Sequence, residues 1–360
     1  MKLQDFDYHL PPRLIAQQPV DPRDRSRLMV LDRRTQSVGH HHFCELAEYL
    51  QPGDVLVIND TKVWAARLIG KKQSGGKVEI LLVRKKGEVN PTARVEGGTE
   101  ETVSEWECLV QASGKVRGQT MVDLEEGLRG QLLGRNSNGL WSLRLSGSGD
   151  VDGAVRRIGF PPLPPYVRRN GDRAMRARDL ERYQTVYACR EGAIAAPTAG
   201  LHFTEALLEQ IKRKGVSVHP LTLHVGIGTF LPVTHERIEN HQLDPEVFEI
   251  YPETAKAVNN ARISGKRVVA VGTTVTRALE SCVDEQGCLR PERGESGLFI
   301  LPGHRFRAVD SLVTNFHLPR STLLMLVSAF AGRESILAAY EEAIGENYRF
   351  YSYGDAMLIL

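Results

Sequence analysis

Two patterns of hydrophobic and polar positions divide the chain. Between about Lys62 and Leu145, apolar and polar positions alternate over short runs: Trp64 to Ile69, Lys77 to Leu82, Glu105 to Ala112, Gln119 to Leu124, Gly127 to Leu133 and Gly139 to Leu145. Ser74-Gly75-Gly76, Gly97-Gly98 and Asn136-Ser137-Asn138-Gly139 part these runs. A period of two broken by such turn signals predicts antiparallel strands. About six strands suffice to close a small barrel, and no helical period shows in this stretch.

Outside it, helical spacing and continuous apolar runs take turns. Thr204 can cap a helix whose Leu207, Leu208 and Ile211 share one face, and Gly215 is placed to end it. Val216 to Val225 follows as a strand. Pro252 opens a helix that ends before Gly265, and Arg267 to Val271 is a buried strand. Thr274 to Cys282, Ser321 to Phe330 and Glu334 to Ile344 have helical spacing. Strands alternating with helices predict an α/β domain with a mostly parallel sheet. The expected organisation is a discontinuous α/β domain, residues 1–61 and 151–360, interrupted at 62–150 by a small antiparallel β-barrel. The proline-rich run Phe160 to Tyr166 reads as a stiff extended connector.

Composition changes this picture little. The chain has 360 residues, 41% hydrophobic and 25% charged, enough for two cores. No apolar run approaches the ~20 residues that span a bilayer. The first residues carry no basic-then-apolar pattern, so no export signal is expected and the cytoplasm is the expected compartment. The five cysteines are scattered and form no C-x-x-C pair, which suggests neither a disulfide framework nor a zinc site.

Charge is uneven. The net charge is +2, but eight arginines between Arg156 and Arg182 face only Asp172, Asp179 and Glu181. One reading of this excess is a solvated loop. The other is a contact for phosphates, which guanidinium forks match bidentately.

Several stretches can carry chemistry. Small residues from Gly192 to Gly200 let the backbone pass close to a ligand, with His202 and the helix start at Thr204 just beyond. The strand bearing His224 runs into a G-x-G that lacks the third glycine of a dinucleotide fingerprint. His235, His241 and Glu246 share a polar loop, but their spacing matches no helical ligand pair and Pro245 interrupts it. Gly272-Thr273-Thr274, ahead of a helix with Arg277, is either an anion-holding junction or a helix capped by Thr273. Thr314 to Ser321 places Asn315 and His317 where a strand meets a helix, the usual binding edge of an α/β sheet. His40, His41 and His42 read as a surface run.

The order of these motifs is more specific than any one of them. FDYHLPPRLIAQQP, NDTKVWAARL, IGFPPLPPY and RYQTVYA come first. AAPTAGLHFT, TLHVGIGTF, AVGTTVTRALES, TNFHLPRSTLLMLVSAFAG and YRFYSYGDAM follow. Together they resemble, nearly end to end, the S-adenosylmethionine:tRNA ribosyltransferase-isomerases of queuosine biosynthesis. Two positions depart from that pattern. The segment resembling H-x-M-H-x-E reads His241-Gln242-Leu243-Asp244-Pro245-Glu246, and the usual tyrosine after Pro-Gly is His304. Neither Asp244 nor His304 is therefore expected to be obligatory, while His241 and Glu246 stay eligible.

The resemblance implies a β-barrel inserted in an α/β domain. It implies transfer of the ribosyl part of S-adenosylmethionine, a co-substrate, to the aminomethyl nitrogen of 7-aminomethyl-7-deazaguanine at the wobble position of a tRNA. Adenine and methionine leave, and the product is epoxyqueuosine. No tightly held cofactor, no metal and no membrane are implied, and a monomer is expected. The chemistry needs a base for the ribose carbon beside the sulfonium and an acid for adenine, roles suited to histidine or a desolvated glutamate. The candidates are His202, His224, His241, Glu246 and His317. For substrate positioning they are Asp60, Tyr183, Gln184, Thr198, Thr273, Thr274, Arg277, Asn315 and Asp355. Arg168, Arg169, Arg173 and Arg176 are the candidates for tRNA. The competing readings are a metal-dependent hydrolase built on His235, His241 and Glu246, a non-catalytic tRNA-binding protein, and a methyltransferase.

Overall fold

The structure is a computed structural model that describes residues 1–89, 101–169, 173–226, 228 and 236–360. His235 lies outside the described residues. The chain divides into two compact units. The first comprises Met1–Lys62, Pro164–Arg168 and Arg182–Leu360, and the second Val63–Leu163 with Arg169–Glu181.

Among the described residues, the first unit is built on a nine-stranded sheet. Its order is Glu292–Ser296, Glu246–Ile250, Ser217–Leu223, Val55–Asn59, Val268–Val271, Ser311–Asn315, Ala356–Ile359, Arg27–Asp32 and Ser37–His42. The four strands from Ser217–Leu223 to Ser311–Asn315 run parallel, as do Arg27–Asp32 and Ala356–Ile359. The other pairings are antiparallel, so the sheet is mixed, with its longest parallel block at the centre.

The apolar run of each central strand explains that placement. Val55, Val57, Val268, Ala270 and Leu312 face one core. Leu56, Ile58, Val269, Val271 and Val313 face the other. Both faces are covered, as a parallel block requires. Helices Pro252–Ile263, Thr273–Cys282, Thr322–Ala331 and Arg333–Gly345 supply apolar side chains to the first core, and Glu205–Arg213 to the second. The local signals hold. Thr204 Oγ1 accepts from Leu207 N, Ser321 Oγ accepts from Leu324 N, Pro252 opens its helix, and Gly215 adopts φ +87° beyond Lys214. Among the described residues no single helix is long and apolar enough to cross a membrane.

The second unit holds a closed antiparallel barrel of six described strands. In barrel order they are Trp141–Ser148, Glu101–Ala112, Lys77–Val89, Arg67–Lys72, Thr120–Asp123 and Arg129–Arg135. Alternate residues such as Leu68, Val78, Ile80, Leu82, Leu132, Leu143 and Leu145 fill its interior. Gly147 fits where a Cβ would come within 2.9 Å of Leu128.

This unit runs past the expected boundary at residue 150, and the reason is electrostatic as well as apolar. Helix Val151–Ile158, which the sequence pattern did not suggest, buries Val151, Ala154, Val155 and Ile158. Lys85 pairs with Asp152 at 2.7 Å and Arg157 with Glu126 at 2.8 Å. The arginine-rich run is not a loop throughout, because Arg173–Arg182 is a helix. Arg169 forks onto Asp179 at 2.8 and 3.1 Å with both side chains largely buried. Arg176 donates to the carbonyls of Gly159 and Arg157 at the end of the preceding helix.

Candidate active site

Carboxyl ends of parallel strands leave polar backbone and side chains where the sheet can no longer bury them, which makes that edge the natural binding edge. In the first unit this edge opens into a cleft of about 970 Å³, mouth included. Ala195, Ala196, Pro197, Val225, Phe316 and Leu323 give it an apolar lining. Of the residues singled out from the sequence, Tyr183, Thr198, Thr273, Thr274, Arg277, Asn315 and His317 also line it.

Two strand ends set its polar groups. Val271 runs into Gly272, whose φ of +98° turns the chain into helix Thr273–Cys282. Gly272 is the N-cap and no side chain caps the helix, so Thr273 does not serve as the cap. First-turn N–H groups lack partners within a helix, and the residues that carry them here, Thr273 and Thr274, lie on the cleft wall. One strand over, Asn315 ends the strand Ser311–Asn315 and His317 lies two residues beyond it.

His317 is buried, and burial pushes its pKa down to about 3. Nε2 lies 2.7 Å from Thr314 Oγ1. The main chain on either side of the ring is fixed, since Tyr340 Oη bonds its N–H and Tyr8 Oη its carbonyl. Among the described residues Nδ1 takes no hydrogen-bond partner.

His202 stands behind the cleft rather than in it. Its Nδ1 is 2.7 Å from Ser26 Oγ and its Nε2 3.2 Å from Asn315 Nδ2, and its ring stacks on Phe43 at 5.0 Å. Burial, reinforced by the charge of Arg349, lowers its pKa to about 3. The other amide hydrogen of Asn315 goes to Tyr351 O at 3.0 Å. Asn315 Oδ1 is buried without a partner.

Glu246 is held by structure. Oε2 pairs with Arg277 Nη1 at 2.6 Å and Oε1 accepts from Gly226 N at 2.8 Å. Arg277 also donates from Nε to the carbonyl of Leu298 and from Nη2 to that of Ser296. His241 packs edge-on to Phe299 and lines no part of the cleft. Among the described residues no three histidine, cysteine or acidic side chains gather as metal ligands.

Asp60 and His224 form a second polar cluster outside the cleft lining. Asp60 accepts from Thr222 Oγ1 at 2.6 Å, from the Cys189 thiol at 3.3 Å and from Tyr251 Oη at 3.4 Å. His224 Nδ1 lies 2.8 Å from Thr61 Oγ1. Burial lowers the pKa of His224, while Asp60 opposes the shift. Gln184 gives its carbonyl to Arg23, and Asp355 accepts from the N–H groups of Arg27 and Arg349, tying two chain segments together.

Tyr166, Tyr351 and Ser352 line the cleft without having been singled out as site residues. Tyr166 Oη meets Ser352 Oγ at 2.6 Å, and the two tyrosine rings lie 4.6 Å apart. They lie in irregular segments far apart in sequence, so no periodicity marks them.

Comparison with known proteins places this architecture. The family model described as "Queuosine biosynthesis protein" matches residues 3–359. The S-adenosylmethionine:tRNA ribosyltransferase-isomerase of Syntrophotalea carbinolica is 50% identical over 360 residues, and that of Geotalea uraniireducens 49% over 363 residues. Both matches cover all of each chain. The crystal structure of S-adenosylmethionine tRNA ribosyltransferase from Thermotoga maritima aligns with a TM-score of 0.52 at 39% identity, covering 99% of this chain and 100% of that one.

The two buried histidines make stability depend on acid. Each has a folded pKa of about 3 against ~6.5 in the unfolded chain. The unfolded state therefore binds protons that the folded state refuses. This contribution is present above about pH 6.5 and is lost as pH falls toward 3. Between pH 7 and 5 each histidine should cost about 2 kcal/mol. Urea denaturation of wild type and His202→Gln at both pH values checks this. The variant should lose about half of the histidine-linked pH sensitivity, and equal sensitivity in the two proteins would contradict it.

Proposed function

The chain belongs to the family of queuosine biosynthesis proteins, and we propose that its cleft performs the reaction for which its relatives are named. It is an S-adenosylmethionine-dependent enzyme of tRNA modification, a ribosyltransferase and isomerase. The observation that carries this reading is full-length identity of up to 50% joined to a largely apolar cleft at the carboxyl edge of the parallel strands. A hydrolase built on His241 and Glu246 gains no support, since Glu246 is spent on Arg277 and Gly226.

In the finer reading, the acceptor is the aminomethyl nitrogen of 7-aminomethyl-7-deazaguanine at the tRNA wobble position. The protein works in the cytoplasm as a monomer, without a resident metal or cofactor. S-Adenosylmethionine and the primary amine become a secondary amine bearing the rearranged ribosyl carbons, with adenine, methionine and one proton released.

His317 is the candidate best placed for proton transfer. It lines the cleft, its ring is fixed by Thr314, and Nδ1 is left open. Burial keeps it neutral at working pH, so its lone pair is available. The same burial makes its conjugate acid strong. A proton taken from the carbon beside the sulfonium is passed on readily, and the departing adenine needs one.

Purified protein, S-adenosylmethionine and tRNA carrying the aminomethyl base should release one adenine and one methionine per modified tRNA, in the presence of a chelator. S-Adenosylhomocysteine among the products, or loss of turnover restored by a divalent ion, would overturn the reading. His317→Gln should lower kcat by about 10²-fold or more with little change in S-adenosylmethionine binding. Near-normal turnover would shift the proton transfer to His224.

The arginines now divide into two kinds. Arg169 and Arg176 are partly covered, by Asp179 and by the Gly159 carbonyl, whereas Arg168 and Arg173 are exposed at the surface, Arg173 in an ion pair with Glu125. Phosphate contacts by the exposed pair should show in the salt dependence of tRNA binding. Arg168→Gln and Arg173→Gln should each lower the slope of log affinity against log salt by about one unit or less. Affinity for S-adenosylmethionine should stay unchanged. Superimposable salt titrations would assign the grip on tRNA to other residues.

A further inference from the structure

We infer that the side-chain carbonyl of Asn315 receives the α-ammonium group of S-adenosylmethionine, and that His202, from outside the cleft, holds that carbonyl in position. The inference rests on the functional reading above.

The orientation of the Asn315 amide is dictated by its neighbours. Tyr351 O can only accept, so the nitrogen of the amide must face it, at 3.0 Å. The second amide hydrogen then points at His202 Nε2, 3.2 Å away, which must present its lone pair. His202 Nδ1 accordingly carries the proton and donates to Ser26 Oγ. Both donors of Asn315 are consumed, and Oδ1 remains as a buried acceptor with no partner, on a residue that lines the cleft. A buried acceptor left unmade costs stability unless a ligand fills it.

The identity of the donor follows from what lies beside it. Strands Val268–Val271 and Ser311–Asn315 are paired, with Val271 opposite Val313, so Asn315 stands two residues beyond the end of its neighbour, about 8 Å from Val271. The first of these strands leads into the uncapped helix N-terminus at Thr273 and Thr274, a place for a carboxylate. The second carries the Asn315 carbonyl. An ammonium and a carboxylate on one carbon need a donor set and an acceptor this close together. The adenine amine of the same ligand sits at its far end. Among the described residues lining the cleft no side chain is a carboxylate, so the cationic amine must be met by a neutral oxygen.

The test is equilibrium binding of S-adenosylmethionine and two analogues. One analogue lacks the α-amino group, and the other carries a 6-oxo purine in place of adenine. Wild type, Asn315→Leu, His202→Leu and His202→Gln are compared. A hydrogen bond to a charged group predicts that loss of the amino group weakens wild-type binding about 10- to 100-fold. Asn315→Leu should bind S-adenosylmethionine weaker by a similar factor and no longer sense the amino group. His202→Leu, which leaves the amide held by Tyr351 O alone, should bind S-adenosylmethionine weaker than wild type and sense the amino group less. His202→Gln, which keeps an acceptor for Asn315 Nδ2, should stay near wild type. The 6-oxo penalty should be the same in all four proteins. The inference is overturned if Asn315→Leu still discriminates against the deamino analogue, or if the 6-oxo penalty is the one that vanishes. Should Asn315→Leu fail to fold, wild type decides, and a loss under about threefold for the deamino analogue overturns it. Failure of wild type to bind S-adenosylmethionine at all would instead overturn the functional reading.

Discussion

Water is excluded from both faces of the central parallel strands, and polar side chains are tolerated only where those strands end. Strand Val55–Asn59 is buried at every position, as are Val268–Val271 and Ser311–Asn315. The polar groups at the carboxyl edge must then satisfy one another, because an unpartnered buried group costs about 1–3 kcal/mol. Asn59 does so with Leu223 and Thr61, His202 with Ser26 and Asn315, and His317 with Thr314. What this network leaves open, the Asn315 carbonyl and the first N–H groups of the helix at Thr273, is what a ligand can use.

The same desolvation decides the charge state of the site. Two histidines are kept neutral, and the charged side chain on the cleft wall, Arg277, is matched by Glu246. On the proposed reading, a cationic co-substrate enters an almost uncharged enclosure. Positive charge is carried elsewhere, on the exposed arginines of the stretch from Arg156 to Arg178. On the proposed reading, a polyanion and a sulfonium compound meet surfaces of different character on one chain.

Much of this was legible in the sequence because its signals are local. The caps at Thr204 and Ser321, the opening Pro252 and the period of two through the barrel each act within a few residues. Asn315, His317 and Thr273 were legible because they follow apolar strands directly. Helix Arg173–Arg182 was not, since its apolar stripe is weak and its buried Arg169–Asp179 pair looks like surface charge when read residue by residue. The roles of Glu246 and His202 were also hidden. A glutamate is spent on Arg277 and a histidine on Asn315 only through contacts 31 and 113 residues apart. Tyr166 and Tyr351 reach the cleft through equally remote contacts.

The central claim is that S-adenosylmethionine occupies the cleft where the strands bearing Val271 and Asn315 end. Amide hydrogen exchange of the whole chain, with and without saturating S-adenosylmethionine, tests it directly. The account predicts slowed exchange in peptides covering residues 195–201, 272–276 and 315–318, with the barrel strands unchanged. Protection confined to the barrel, or to the segment around His241 and Glu246, with none at those strand ends, would contradict it.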